Sequence, residues 1–164
     1  MSKLDAEIAA LRSAADIELL PRPFGPPLAT ADLRSELTDF EVLEERGAGF
    51  TDTGEHLYLR VRKLGQNTRW VAQQLATFAG LPYKAVSYAG LKDRHAVAEQ
   101  WFSLHMPGQS DPDWSRLSVP GVSIVASRRH DRKLRQGFLS YNQFSILLRN
   151  LSAVDDGDLT ARLE

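Results

Sequence analysis

The sequence predicts an α+β fold, a mixed and largely antiparallel sheet with flanking helices. Three observations predict it. Short runs of strand-type pattern recur at Leu37 to Glu45, His56 to Lys63, Ala85 to Ala89, Gln100 to Met106, Val122 to Ala126 and Phe144 to Leu148. One stretch among them, after Asn67, carries a well-formed helical stripe. The connections between several runs are of hairpin length. A chain of 164 residues, 43% apolar and 25% charged, has enough material for one domain with a real core.

Taken in order, Leu4, Ile8 and Leu11 recur at helical spacing and predict a short amphipathic helix over 2–15. Pro21, Pro23, Pro26 and Pro27 then forbid regular structure and make a linker, so the division expected is 1–27 for helix and linker and 28–164 for the main domain. In Leu37 to Glu45, Phe40 and Val42 alternate with Asp39 and Glu41, as in a half-buried strand. His56 to Lys63 shows the clearest alternation, Leu57, Leu59 and Val61 against Tyr58, Arg60 and Arg62. Asn67-Thr68 offers a helix N-cap, because a short side-chain oxygen can accept from the orphan N–H groups of a first turn. Val71, Leu75, Phe78 and Ala79 form the apolar stripe, Gly80 stops the helix and Pro82 prevents its return. Pro107 to Pro120 reads as a loop, and Asp155 to Glu164 opens a further helix at the end of the chain, which suggests truncation.

Composition excludes several functions. The formal net charge is −1, so any nucleic-acid surface must be a local patch. There is no cysteine, hence no disulfide and no thiolate metal site. His56, His95, His105 and His130 lack metal-ligand spacing, so no metal site is expected. The N-terminus has acids inside its apolar pattern and no run reaches the length of a membrane span; a cytoplasmic protein is expected. Pairing Asp93 with Glu99 as a two-carboxylate hydrolase has no geometric basis in their spacing.

The chemistry concentrates in V-S-Y-A-G-L-K-D-R-H-A-V-A-E-Q-W-F-S, Val86 to Ser103. A carboxylate, Asp93, stands between Lys92 and Arg94 at the tip between two strand-like runs. Alone this is better explained by a solvated turn. The longer pattern G-L-K-D-R-H-A-V-x-x-Q-W resembles the signature of the TruD family of tRNA pseudouridine synthases. L-T-D-F-E-V-L-E-E, G-E-H-L-Y-L-x-V-x-K-x-G-x-N-T and K-L-R-x-G-x-L-x-x-N-x-F are similar to further motifs of that family, in its order, over roughly Arg34 to Arg149.

The resemblance implies a partial pseudouridine synthase domain acting on tRNA, at uridine 13, without a cofactor. The ribose C1′ to uracil N1 bond breaks, the base turns, and a C1′ to C5 bond forms. Asp93 matches the family's catalytic aspartate, whose role needs a negative charge and a lone pair; neighbouring cations favour a carboxylate's charged form. Arg34 stands where bacterial relatives carry a lysine near that aspartate, and Lys92 is a second charge partner. Phe40 and Asn142 match positions that hold the target uridine, by stacking and by an amide's donor and acceptor. Phe144 shares a strand face with Asn142, where core packing and substrate contact are both open. Arg128, Arg129, Arg132, Lys133 and Arg135 form the basic patch that would meet phosphates. Tyr141 replaces the glycine usual before the asparagine, Ala98 stands where threonine is common, and the family's insertion domain and later Asn-Tyr-Phe-Gly type segment are not in these residues. The competing reading is a non-catalytic RNA-binding remnant of the same fold.

Overall fold

The computed structural model describes Pro21, Pro23, residues 25–46 and 49–152, and Gly157, Thr160 and Ala161. The predicted helix over 2–15 lies outside these residues. Of the predicted terminal helix, Gly157, Thr160 and Ala161 are described, and all three are helical. Two compact units are present, one spanning Asp32–Arg149 and one drawn from Met1–Ala31 and Asn150–Glu164. Within the latter, Ser152 N–H donates to the Thr30 carbonyl (2.8 Å) and Thr30 N–H to Ser152 Oγ (2.9 Å).

The larger unit is built on a mixed sheet. Its strands are β2 (Phe40–Glu45), β3 (His56–Leu64), β4 (Val86–Tyr88), β5 (Val97–His105), β6 (Val122–His130) and β7 (Tyr141–Ile146). The order is β6-β3-β5-β2-β7, with β4 also on β5. All pairs are antiparallel except β2 with β5. A short ribbon joins β1 (Asp32–Leu33) to β8 (Leu148–Arg149).

The alternation that marks β3 in the sequence sorts its side chains between two faces. Leu57, Leu59 and Val61 point toward helix α1 (Thr68–Phe78) and form the main core with Val71, Leu75, Phe102 and Leu104. Burying each such side chain contributes roughly 1.5–3 kcal/mol. Tyr58 faces the other way, into a cluster with Trp101, Ala89 and Leu134. Gly80, at φ +65°, ends the helix in the left-handed conformation that glycine adopts without a Cβ penalty. Asn67 occupies the N-cap, but its side chain makes no capping bond; Thr68 turns inward instead, to Gln100.

Several boundaries differ from the sequence expectation. Leu37–Asp39 form a 3₁₀ turn, so the first long strand begins at Phe40. Residue 85 belongs to a second 3₁₀ turn, Tyr83–Ala85, and β5 begins at Val97 rather than Gln100. β6 continues to His130, so the first residues of the basic run lie in a strand.

The entry to β2 is clamped by one buried carboxylate. Arg149 donates to both oxygens of Asp39, Nη2 to Oδ1 at 2.7 Å and Nε to Oδ2 at 2.8 Å, and the Glu36 N–H adds a third bond at 2.9 Å. The Arg149 hydrogen bonds, working against burial, hold the Asp39 pKa below the ordinary carboxylate range. Stability from this group is therefore present above the unfolded value and is lost as pH falls through the lowered folded value. Arg149→Met is expected to move the acid-unfolding midpoint to higher pH, followed by circular dichroism. An unchanged midpoint would show that the clamp carries no stability.

Candidate active site

Asp93 lies in the loop 89–96 between the antiparallel strands β4 and β5, and its side chain is 56% exposed. Arg34 reaches it from 59 residues upstream. The Arg34 Nη2 donates to Asp93 Oδ2 at 3.0 Å, while the guanidinium carbon sits 3.8 Å from the centre of the Phe40 ring. A guanidinium over an aromatic face is an attractive cation–π contact. This reach depends on backbone geometry. Arg34 has φ +59°, a left-handed conformation that a residue with a Cβ rarely adopts. The β1–β8 ribbon fixes the chain before it, and the Asp39 clamp fixes the chain after it.

The sheet register brings β7 to the same place. Asn142 lies opposite Glu44 and Phe144 opposite Val42, and directly opposed residues project on one face. Phe40, Val42 and Glu44 alternate along that face of β2. The Phe144 ring is 5.9 Å from that of Phe40 and remains 56% exposed, whereas Phe40 is buried. Asn142 is also exposed. The structure thus links Asp93, Arg34, Phe40 and Phe144 through successive contacts and sets Asn142 further along the same face of β7, opposite Glu44.

Lys92 goes elsewhere. Its ammonium meets Glu44 Oε2 at 2.7 Å, in a pair whose side chains are 8% and 0% exposed. Glu44 Oε1 accepts the Trp101 N–H at 3.2 Å, on the stretch of β5 between its pairing with β2 and its pairing with β4. Burial pushes the Glu44 pKa up, and Lys92 together with the Trp101 N–H opposes that rise. Around the same loop, Gln100 donates to the Gly90 carbonyl at 2.6 Å and accepts from Thr68 Oγ1 at 2.9 Å. Thr68 Oγ1 accepts the Lys92 N–H at 3.0 Å, and Arg94 Nε donates to the Gly65 carbonyl at 3.2 Å.

A cavity of about 630 Å³ opens at Asp93, bordered by Arg69, Trp70, Leu91, Lys92 and Arg94. Trp70 and Leu91 expose 39% and 62% of their surface there, an apolar rim between two arginines. Sequence reasoning missed Arg69 and Trp70. The available signal was that Arg69-Trp70 follow Thr68 but fall off the stripe of Val71 and Leu75, leaving a large aromatic on the helix's outer side.

The basic run divides. Arg128 makes a two-pronged bond to Asp52 (2.7 Å each), and Arg129 is bound by Asp111, Gln109 and the carbonyls of Gly54 and Met106. Arg132, Lys133 and Arg135 are exposed and surround a second cavity, of about 530 Å³, with Tyr58, His130 and Phe138. Arg46 Nη2 lies 2.9 Å from His130 Nε2. On the other side of the ring, Nδ1 lies 3.3 Å from the Thr51 backbone nitrogen and 3.2 Å from Thr51 Oγ1. Burial first, and Arg46 second, lower the His130 pKa.

Comparison with known proteins gives a consistent result. The family model described as tRNA pseudouridine synthase D (TruD) matches residues 27–164. A protein named tRNA pseudouridine synthase D from Pectobacterium atrosepticum is 52% identical over 139 residues, covering 85% of this chain and 39% of its own length. A protein of the same name from Aeromonas salmonicida is 47% identical over 148 residues, covering 90% and 42%. A crystal structure from Methanosarcina mazei assigned to the same family superposes with a TM-score of 0.67 at 25% identity, over 81% of this chain and 30% of that one. The chain spans about two-fifths of the length of those two curated relatives.

Proposed function

The chain belongs to the tRNA pseudouridine synthase D (TruD) family, and from that premise we propose that it forms part of the active site of an enzyme that isomerises uridine in tRNA. The supporting observation is the constellation of Asp93, Arg34 and Phe40, an exposed carboxylate tethered to a cation that lies on an aromatic ring. A uridine taken out of its stack would rest on the exposed Phe144 ring, which packs against Phe40, with the Asn142 amide on the same strand face. The C1′–N1 bond then breaks, N1 takes up a proton, C5 bonds to C1′ and the C5 hydrogen leaves as a proton. Asp93 supplies a carboxylate at C1′ or the base, and Arg34 sets its direction. Uridine 13 is the proposed target. Lys92, buried against Glu44, acts here by holding the loop.

In this proposal the RNA backbone runs over the cationic surface. Arg69 and Arg94 beside Asp93, and Arg132, Lys133 and Arg135 in the second patch, are placed to meet phosphates. Arg128 and Arg129 hold loops through Asp52 and Asp111. No helix among the described residues is long and apolar enough to cross a membrane, and a cytoplasmic location fits a tRNA substrate.

The test is release of tritium from tRNA carrying 5-tritiated uridine. The full-length protein that contains this segment is expected to release one equivalent per tRNA, with binding that weakens as salt rises. Salt-dependent binding without release would sink the enzymatic reading in favour of the RNA-binding remnant. Absence of salt-dependent tRNA binding would sink both.

A further inference from the structure

We propose that Lys63 is a positioning residue for Asp93: its buried ammonium grips the main-chain carbonyls of Lys92 and Asp93 and so fixes where the reacting carboxylate points. The inference rests on the reading of Asp93 given above, but its evidence is separate. Lys63 is fully buried, on the same face of β3 as Leu57, Leu59 and Val61. Its Nζ donates to the Asp93 carbonyl at 2.6 Å, to the Gln66 carbonyl at 2.8 Å and to the Lys92 carbonyl at 3.4 Å. An ammonium has three donors, and here each has a carbonyl. Asp93 is thereby held twice, at its carbonyl by Lys63 and at its carboxylate by Arg34.

A cation in this position is costly for the fold. Taking an ammonium out of water carries a desolvation penalty, and no carboxylate lies within ion-pair distance to offset it among the described residues. The flanking strands oppose Lys63 with Ala98 on β5 and Val122 on β6. Stability alone would favour an unbranched apolar side chain there. What the lysine adds is a grip on the loop and a fixed positive charge beside Asp93, and both bear on chemistry at that residue.

The same burial gives the grip a pH limit. Desolvation is the largest cause pulling the Lys63 pKa down, to about 8; Asp93 opposes the shift and Lys92 adds to it. Glu44 faces Lys92 from β2, and Arg94 is tied to the Gly65 carbonyl. α1 contributes the uncharged Thr68 hydroxyl to this loop. When the ammonium loses its proton, one of three donors and the charge disappear. Turnover should therefore fall as pH rises through about 8. Stability should not follow it. A lysine whose folded pKa is depressed makes the unfolded chain the better proton binder above that value, so its contribution to stability rises with pH there.

The experiment is kcat at saturating tRNA between pH 6.5 and 9, in the full-length enzyme, beside the thermal midpoint at each pH. Wild type should lose turnover near pH 8 while its midpoint holds. Lys63→Met should lower kcat by about tenfold or more at pH 7, leave tRNA affinity within about twofold, and abolish the pH limb. Lys63→Arg, which keeps its charge throughout, should also lack the limb. A flat wild-type profile overturns the proposal even if the methionine variant does not fold. So does a methionine variant with wild-type kcat and the wild-type profile. If Asp93→Ala remains active, the reading of the site itself fails; if it is inactive while Lys63→Met behaves as wild type, only the positioning role falls.

Discussion

Asp93→Ala in the full-length enzyme is expected to abolish pseudouridine formation while leaving tRNA binding nearly intact. The loss in single-turnover rate should be on the order of 10⁴-fold or more, the scale seen when a reacting group is removed from an otherwise intact site. The geometry separates rate from affinity. Asp93 is half-exposed and its side chain bonds Arg34, whereas the loop that carries it is held from below by Lys63, Gln100 and the Glu44–Lys92 pair. Removing the carboxylate leaves those contacts in place. It also leaves Arg34 on the Phe40 ring with one more free donor for a phosphate. Asp93→Asn should be equally inactive, since the amide keeps the volume and loses the charge. Tritium release gives the rate and filter binding gives the affinity. A variant retaining a tenth of wild-type turnover would remove Asp93 from the reaction.

Glu44→Ala is expected to cost about 3–5 kcal/mol of stability, the range for breaking one side of a buried ion pair. Two groups lose their partner at once. Lys92, 8% exposed, becomes an uncompensated charge, and the Trp101 N–H loses its acceptor. Glu44→Gln should cost less, because the amide oxygen can still accept from Trp101. Lys92→Met, which strands the glutamate instead, should cost a similar amount to the alanine variant. Urea unfolding of the three variants measures the series. A loss below about 1 kcal/mol for Glu44→Ala, the value for an exposed pair, would show that the site is open to water.

Much of this structure is legible in the sequence because it rests on local pattern. Alternation in His56 to Lys63 gives β3, and the stripe through Val71 and Leu75 with Gly80 behind it gives α1. The family motifs carry Asp93, Arg34 and Phe40, which the fold brings into contact, and Asn142, which it sets on the neighbouring strand β7. What pattern does not encode is which charges meet. Lys92 is the sequence neighbour of Asp93, yet successive residues point apart, and its partner Glu44 is many residues upstream. Arg128 and Arg132 look alike in a basic run; one is spent on Asp52 and the other is exposed, a difference set by which loops pass near. Lys63 sits in the alternation where an apolar residue belongs, and a buried lysine at such a position was the one local sign of the loop's support.

The single parallel pair among the described strands also constrains the order in which the protein can be assembled. β2 has two neighbours, β5 and β7, and neither is adjacent to it in the chain. β3, α1 and β4 all intervene before β5, and β6 follows before β7 is reached. No tight turn can deliver β2 to its place; both of its partnerships close long loops, with the entropy that such closures cost. During synthesis, β3, β4, β5 and β6 can find one another while β2 still lacks one of its edges. Phe40 therefore meets Phe144 only after the whole segment has left the ribosome, and the surface on which a base would rest cannot exist on a shorter nascent chain.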